Sequence, residues 1–382
     1  MHSPEFRRLL PLLLLGLTLL AGCEHLPATH ASSDNASPGG PQILAIDVKH
    51  KLTLRDILPI LAQKRAVLVG ETHDQYHHHL AQLEIIKGIR ERYPDIAIGL
   101  EFFQQPFQKY LDQFVAGEID TRALLRKTEY YDRWRFDYRL YQPILDYARE
   151  HHIPLIALNL PAEITQKVGR DGIQSLTPKE KSEIPASIDR GVPGYRERIT
   201  AVFSNHPAAM KENLDNFVNV QLLWDEGMAA KAADYLKRHP HKHLIILAGS
   251  GHIIQGTGIP QRLKRRIDGD IATVVFGDQL QLSDDIADYV LYPPPRNLPP
   301  KGMIGVVLDT DDNGMRVKSF GDNSQAPAAG MQVGDIIVEI DGQPIHNLTD
   351  IRLALMDKRP GDKISVIVLR KGDRIPMTVA LR

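Results

Sequence analysis

Hydrophobic residues along this chain alternate between a pattern typical of strands and a pattern typical of helices. Five short apolar runs have the length and composition of buried strands: Ala66–Val69, Ile96–Leu100, Ile153–Leu158, Leu244–Ala248 and Ile271–Phe276. Between most of these runs, hydrophobic positions recur about once per helical turn, as at Leu80, Leu83, Ile86 and Ile89, with Asp74 as the expected helix N-cap. This alternation predicts an α/β domain whose parallel sheet is covered by helices on both faces.

The C-terminal segment follows a different pattern, with short strands and tight turns. Ile336–Ile340 reads as a strand and is followed by an Asp-Gly turn. Asn347 is expected to begin a short helix, because Asp350 stands three residues further on in a capping-box arrangement. Ile364–Leu369 and Met377–Leu381 are further strand-like segments. These elements predict a second, small and β-rich domain.

Segments of biased composition divide the chain, whose 382 residues suit one large and one small domain. Small and polar residues dominate positions 24–41, which predicts a flexible tether. Five prolines in "LYPPPRNLPP" predict a semi-rigid spacer. Residues 160–240 contain no strand-like run and predict a helical insertion. The resulting segments are a signal peptide at 1–22, the tether at 23–42, the α/β domain at 43–290, the linker at 291–300 and the β-rich domain at 301–382.

The N-terminus has the features of a secretory signal. Arg7 and Arg8 precede the apolar run Leu9–Leu20, which is too short to span a membrane comfortably. The sequence Leu-Ala-Gly-Cys then resembles a bacterial lipobox, which implies lipidation (palmitate among the acyl chains) at Cys23 and anchoring through that lipid only. Glu24 follows the cysteine, at the position where an aspartate is associated with retention at the inner membrane. By resemblance to that sorting rule of bacterial lipoproteins, the outer membrane is favoured, with the protein facing the periplasm. Because Cys23 is the only cysteine, a disulfide is excluded.

Charged residues follow several of the predicted strands. Gly70-Glu71-Thr72-His73 follows the first, Glu101 the second, and Gly249-Ser250-Gly251-His252 the fourth, while Asn159 and Asp278 follow the other two. In an open α/β sheet, ligands bind beyond the carboxyl ends of the strands. We therefore expect Glu71, His73, Glu101 and His252 to share one cleft, with Gly70 and Gly249 allowing sharp turns.

The chemistry of this cleft is left open by the residue types. Two imidazoles and two carboxylates suit a divalent transition metal, such as zinc or iron, and equally suit acid–base hydrolysis or a buried structural network. The neighbouring His77, His78 and His79 form either an exposed helix start or part of the site. Successive helical residues point about 100° apart, so the three cannot share one face. We expect them at the rim of the cleft.

The motifs "VLVGETHD", "IGLEFF", "YQPILDYAREHHIPLIALN" and "HLIILAGSGHI" resemble the ChaN/Tiki/erythromycin-esterase superfamily, and most closely its ChaN branch of haem-binding lipoproteins of iron uptake. This resemblance implies haem as cofactor, a tyrosinate on its iron and histidines nearby. The implied haem-binding residues are His73, Tyr76, His78, His79 and His252. Tyr130 and Tyr131, in an aromatic and arginine-rich stretch, are rival iron ligands. The alternative metal ligands are Glu71, His73, Glu101 and His252.

The segment 301–382 resembles a PDZ domain of the type associated with bacterial proteases. That resemblance implies a groove that takes the C-terminus of a peptide, with its carboxylate held by backbone N–H groups. The implied peptide-binding loop is Gly302-Met303-Ile304-Gly305. Ile304 and Val306 are expected on the adjoining strand, and Ile351 and Leu355 on the helix.

Three hypotheses of function follow. The first is an envelope lipoprotein that binds haem or iron and recruits a peptide or protein partner through its PDZ domain. The second is a metal-dependent hydrolase that uses the Glu/His cleft, and the third is a non-catalytic envelope scaffold. A formal net charge of −1 gives no reason to expect a nucleic acid partner, and homodimerisation is left open.

Overall fold

The computed structural model describes residues 44–46, 51–204 and 213–382. The signal peptide, the tether and Cys23 lie outside these residues. The strands are β1 Leu44–Ile46, β2 Lys51–Thr53, β3 Ala66–Glu71, β4 Ile96–Gln104, β5 Leu155–Asn159, β6 His243–Gly249, β7 Ile271–Phe276, β8 Tyr289–Tyr292, β9 Val306–Asp311, β10 Gly314–Phe320, β11 Ile336–Ile340, β12 Gln343–Pro344, β13 Lys363–Arg370 and β14 Asp373–Ala380. The helices are α1 Leu54–Leu61, α2 Tyr76–Arg92, α3 Gln108–Val115, α4 Thr121–Lys127, α5 Tyr130–Arg133, α6 Gln142–Glu150, α7 Ala162–Asp171, α8 Pro178–Ser182, α9 Tyr195–Ser204, α10 Leu214–Arg238, α11 Ile259–Lys264 and α12 Leu348–Ala354.

The larger sheet has the order β2-β1-β8-β7-β3-β6-β4-β5. The six strands from β8 to β5 run parallel, and β1 and β2 extend the β8 edge in antiparallel pairs. Both faces are covered, because alternate residues of each strand enter different cores. Val67 and Val69 pack with α1, α2 and α6 on one face, whereas Ala66 and Leu68 pack with α10 and α11 on the other. The predicted fold class is thereby confirmed.

Several predicted boundaries differ from the structure in ways that matter for the site. β3 continues through Glu71 and β4 through Gln104, so the first two acidic residues lie within strands instead of following them. β8 reaches Tyr292, two residues beyond the predicted end of the domain. The N-cap of α2 is Gln75, with no side-chain capping bond, so the prediction for Asp74 is wrong.

The predicted helical insertion contains α7, α8, α9 and α10. The last of these is 25 residues long and packs its middle and C-terminal half against the sheet. It therefore belongs to the helical layer of the domain and also carries buried polar residues towards the strand ends.

The C-terminal domain is an antiparallel sheet in the order β14-β13-β11-β10-β9, with β12 paired to β11. The predicted capping box at Asn347 and Asp350 is present. β9 pairs only with β10 and is an edge strand, which leaves its other side open towards α12. Within the described residues, no helix is long and hydrophobic enough to cross a membrane.

Candidate functional site

Four predicted residues meet at the carboxyl edge of the parallel sheet. β3 and β6 are neighbours, and their register pairs Glu71 with Gly249. β4, on the other side of β6, carries Glu101. His73 follows β3, and its Nδ1 lies 2.6 Å from Glu71 Oε1. His252 lies in a 3₁₀ turn after β6, with its Nε2 3.3 Å from Glu101 Oε1.

Asp225 completes the surroundings of His252 and was not among the predicted residues. Its Oδ1 lies 2.7 Å from His252 Nδ1, and its side chain is only 1% exposed. Its other oxygen accepts a 2.7 Å hydrogen bond from the Tyr195 hydroxyl. Glu101 in turn accepts a 2.6 Å bond from the Gly249 N–H. Both ring nitrogens of His252 therefore face carboxylates that are themselves hydrogen-bonded.

The sequence did contain a signal for Asp225. It lies three residues after Leu222 and four before Ala229, and both are buried in α10. An acidic residue on the apolar face of a helix is expected to have a buried partner, because an unpaired buried charge is strongly destabilising. Only the fold identifies that partner as His252.

The pKa values of His252 and His73 are set by different charged neighbours. Burial alone would lower the pKa of His252, but the charges of Glu101 and Asp225 outweigh it and raise this pKa to about 10. Burial alone would raise the pKa of Glu101, but His252 lowers it to about 2. His252 is therefore an imidazolium held between two carboxylates at neutral pH. For His73, burial also opposes the proton, but the hydrogen bond and charge of Glu71 raise its pKa.

His73 is the more accessible of the two histidines. Its side chain is 29% exposed, compared with 12% for His252. The rings of Trp134 and Phe136 contact it edge-on at 4.7 and 5.0 Å. Among the described residues, its Nε2 has no hydrogen-bond partner, and Glu71 Oε2 is buried without one. His73 thus has one ring nitrogen without a hydrogen-bond partner, and its ring contacts two aromatic side chains.

The glycines of the two Gly-x-x-His motifs provide space. Gly70 continues the β3 strand, so the sharp turn predicted there is wrong, whereas the chain does turn after Gly249, into the 3₁₀ turn Ser250–His252. Neither glycine needs a positive φ, since Gly249 has φ −57°. A Cβ on Gly249 would lie 2.8 Å from His73 Cε1, and one on Gly70 would lie 3.0 Å from the Ser250 Cα. Larger residues at these positions would collide with the site.

The triple histidine is buried, so its expected position at the rim is wrong. His77 and His78 place their Nε2 atoms 2.9 and 2.8 Å from the two oxygens of Asp278, which follows β7. His79 Nε2 lies 3.1 Å from the carbonyl oxygen of His73 and so stabilises the loop between β3 and α2. The three side chains face different partners, as their helical spacing requires. They organise the loop that carries His73.

His77, His78 and Asp278 are the one group of such residues in the described part of the chain whose donor atoms converge closely enough for a metal ion. The tautomer of His78 argues against a metal there. The Thr72 N–H donates to His78 Nδ1 at 3.1 Å, so the ring proton lies on Nε2 and is donated to Asp278. Burial also lowers the pKa of His78, which favours this neutral form. We interpret the group as a hydrogen-bonded structural cluster that joins the start of α2 to the segment after β7.

The predicted metal ligands at the strand ends are arranged differently. No three donor atoms from Glu71, His73, Glu101 and His252 lie within 4.8 Å of one another in the described residues. Both nitrogens of His252 already face carboxylates. This arrangement favours hydrogen-bonded ion pairs over a metal-binding site.

The candidate tyrosines lie in unequal environments. Tyr76 is the first residue of α2 and is only partly buried. Tyr130 is 1% exposed, and burial raises its pKa well above the ordinary value. Burial raises the pKa of Tyr131 to about 12, and its ring lies 5.1 Å from the Arg352 guanidinium. Tyr130 and Tyr131 are thus neutral, buried phenols at the domain core and junction.

A groove lies between β9 and α12 in the C-terminal domain. It is lined by all seven predicted peptide-binding residues: Gly302, Met303, Ile304, Gly305, Val306, Ile351 and Leu355. β9 starts at Val306 and α12 ends at Ala354, so Ile304 belongs to the loop and Leu355 to the helix C-cap. In the described structure, the N–H groups of Ile304 and Gly305 have no hydrogen-bond partner. Such a loop can accept a carboxylate.

Comparison with known proteins is consistent with both domains. The family model described as haem-binding uptake, Tiki superfamily, ChaN matches residues 57–263, and the PDZ domain model matches residues 302–381. A solved structure of cofacial haem binding to ChaN of Campylobacter jejuni has 18% identity and a TM-score of 0.55, covering 66% of this chain and 97% of that one. This likeness shows the fold.

Two curated relatives match separate parts of the chain. Protein RETICULATA-RELATED 5, chloroplastic, of Arabidopsis thaliana is 21% identical over 262 residues, which are 61% of this chain and 34% of that protein. Serine protease Do-like HtrB of Bacillus subtilis (strain 168) is 39% identical over 70 residues, or 18% of this chain and 15% of the protease. This chain thus spans about a third or less of either relative. Because the first family model covers more than half of its residues, the chain belongs to the ChaN family of the Tiki superfamily, with a haem-binding-type α/β domain followed by a PDZ domain.

Proposed function

We propose that this protein is an envelope lipoprotein that binds haem beside His73 and recruits a peptide or protein partner through its PDZ groove. One observation carries the haem proposal. His73 is fixed through Nδ1 by a buried carboxylate, while its Nε2 has no hydrogen-bond partner among the described residues and its ring contacts Trp134 and Phe136. A histidine that binds iron usually has its second nitrogen fixed in this way, and aromatic rings suit the face of a porphyrin.

The residues around His73 fit haem better than they fit a bare divalent ion. Haem would supply an iron centre that an imidazole or a tyrosinate of this chain would bind. Tyr76 is the preferred phenolate, because it is only partly buried, whereas Tyr130 and Tyr131 are buried phenols with raised pKa values. His78, His79 and His252 would hold the site in place, since their ring nitrogens already have partners.

The test is haem titration of the full-length protein followed by absorbance. We expect a shifted Soret band, lost or strongly weakened in His73→Ala and altered in wavelength in Tyr76→Phe. His241→Ala is the matched control, because this exposed histidine precedes β6 at the opposite end of the sheet. A wild-type protein without a Soret shift, or equal affinities for His73→Ala and His241→Ala, would contradict the proposal.

The hydrolase hypothesis has less support. A metal-dependent hydrolase needs several protein ligands around one ion and an open position for water. The four residues at the strand ends do not converge in that way. Stoichiometric zinc in the purified protein, together with no affinity for haem, would favour the hydrolase.

The envelope location rests on Cys23 and its surrounding motif. If Cys23 carries lipid, Cys23→Ser should move the protein from the membrane to the soluble fraction of the producing bacterium. A variant that still sediments with membranes would contradict lipid anchoring at this residue.

The peptide proposal rests on the free N–H groups of Ile304 and Gly305 beside an open strand edge. β-strand addition supplies backbone hydrogen bonds, and the N–H groups donate hydrogen bonds to the terminal carboxylate. We expect the full-length protein to bind a peptide with a free carboxylate and an apolar last residue more tightly than the same peptide with an amidated end. Equal affinities would contradict capture of the carboxylate.

A further inference from the structure

The groove of the PDZ domain is built by both domains of the chain. One side is formed by β9 and the other by α12, while Tyr131, Arg135, Asp137 and Arg139 of the α/β domain complete its lining. These four residues come from one segment, 131–139, which includes the end of α5 and the following turn. A peptide in this groove would therefore lie next to the α/β domain as well.

Packing holds the helix wall of the groove against the α/β domain. Leu353 of α12 is fully buried and belongs to the core that also contains the helices on one face of the large sheet. Arg126 pairs with Asp350 of α12, and Arg122 pairs with Asp357 at 2.6 Å. Ile351, one turn from Leu355, meanwhile packs in the core of the small domain. The two domains thus fix α12 from both sides.

Side-chain contacts within the α/β domain and with Lys301 hold the segment 131–139 in place. Trp134 and Phe136 turn to His73, as described above, and Asp137 is anchored by Arg139 at 2.9 Å and by Lys301 at 3.0 Å. Arg135, between the two aromatic residues, is exposed and lines the groove. Its guanidinium has no hydrogen-bond or ion-pair partner in the described structure.

The charges around the groove are unbalanced. Five cationic side chains line it, and Asp137 carries the one carboxylate side chain among its lining residues. The cations are Arg135, Arg139, Lys301, Arg352 and Arg382. Asp137 is already shared by Lys301 and Arg139, and Arg352 donates to the Tyr131 carbonyl oxygen, a neutral acceptor. The groove therefore carries more positive charge than one terminal carboxylate would balance.

We infer that the groove selects peptides whose C-terminal residues include acidic side chains in addition to the terminal carboxylate, and that Arg135 of the α/β domain contributes to this selection. The inference rests on the proposed peptide binding by the PDZ domain. Complementary charge favours the acidic ligand and steers its approach, and a neighbouring lysine in the ligand would be repelled. The partner is thus a protein with an acidic C-terminus that ends in an apolar residue.

Binding of two synthetic peptides to the full-length protein, followed by fluorescence anisotropy, tests this inference. Both end in a free-carboxylate valine, and one carries glutamates where the other carries lysines in the preceding positions. We expect roughly tenfold tighter binding of the acidic peptide at low salt, with the preference reduced at high salt. Arg135→Glu should reduce the preference by roughly fivefold or more.

The controls separate the possible failures. Arg55→Glu changes an exposed arginine that does not line the groove and should leave the preference unchanged. If neither peptide binds, the proposed peptide function fails and the inference with it. If both bind equally, only the selection of acidic residues is overturned. If the preference persists undiminished in Arg135→Glu, the contribution of the α/β domain is overturned.

Discussion

The two Gly-x-x-His motifs place their histidines at neighbouring strand ends, yet the two imidazoles differ in almost every physical respect. His252 is largely buried, and both its nitrogens face carboxylates, which keeps it charged. His73 is partly exposed, and one carboxylate holds one nitrogen. The motif therefore determines where a histidine lies on the sheet, but the neighbouring elements determine what it can do.

The difference arises from the elements that cover each strand end. Asp225 of α10 lies beside the end of β6, and its carboxylate occupies the hydrogen-bonding position at His252 Nδ1. Over β3, the segment after α5 delivers aromatic rings, which leave His73 Nε2 free. We propose that His252 serves stability and His73 serves ligand binding, and the following experiments test that division.

The largest expected effect is on stability. His252→Ala leaves Asp225 and Glu101 buried without their cation, which should cost about 3–5 kcal/mol of unfolding free energy. His73→Ala should cost less, about 1–3 kcal/mol, because it leaves one buried carboxylate, Glu71, without its partner, whereas His252→Ala leaves two. Equilibrium urea unfolding of both variants measures the difference. Equal losses would remove the distinction between the two histidines.

A pH titration of stability should show the buried imidazolium. The pKa of His252 is about 10 in the folded protein and 6.5 ordinarily. Its contribution is therefore complete below pH 6.5 and is lost as the pH rises through about 10. Glu101, lowered from 4.5 to about 2, contributes above pH 4.5 and loses its contribution as the pH falls through about 2.

Glu101→Gln separates these contributions in a single variant. Without that carboxylate, the pKa of His252 in the folded protein should fall, so the alkaline loss of stability should be smaller than in the wild type and complete at a lower pH. Urea unfolding at a series of pH values from 6 to 10 gives both curves. Superimposable curves would show that Glu101 does not hold the proton on His252.

The fold was largely accessible from the sequence because its signals are local. Continuous apolar runs between helical segments predicted the parallel sheet, and the capping box at Asn347 predicted α12. The meeting of Glu71, His73 and Glu101 followed from the rule that parallel strands end at one edge. Each of these predictions needed only a short window of residues or a general rule of topology.

The remaining features depend on docking between distant segments, which local patterns do not contain. Asp225 reaches His252 only because α10 crosses the sheet, and Asp278 reaches His77 and His78 only because β7 lies next to β3. Buried histidines with a carboxylate partner have the same local sequence as exposed ones, so the rim position was the wrong prediction.

The two motif glycines give a third, smaller contrast. The Cβ of Gly70→Ala would meet the Ser250 backbone at 3.0 Å, and this cannot move cheaply, so we expect a loss of about 1–3 kcal/mol. The Cβ of Gly249→Ala would meet the end of the His73 ring, and displacing a side chain costs less than displacing backbone. Urea unfolding should show the larger loss for Gly70→Ala, whereas haem titration should show weakened binding for Gly249→Ala, because His73 is displaced. The reverse pattern would contradict this assignment of the two glycines.

The smallest expected change concerns the carboxylate that holds His73. Glu71→Gln keeps the shape of the side chain but removes its charge, so the pKa of His73, which the Glu71 hydrogen bond and charge raise, should fall. An NMR titration of the imidazole detects this fall without any ligand. Haem affinity should decrease by about tenfold, as expected when the residue orienting an iron-binding histidine is changed. Glu84→Gln, at an exposed position of α2, is the matched control. An unchanged pKa would show that Glu71 does not control His73, whereas a lowered pKa with unchanged haem affinity would place the haem away from His73.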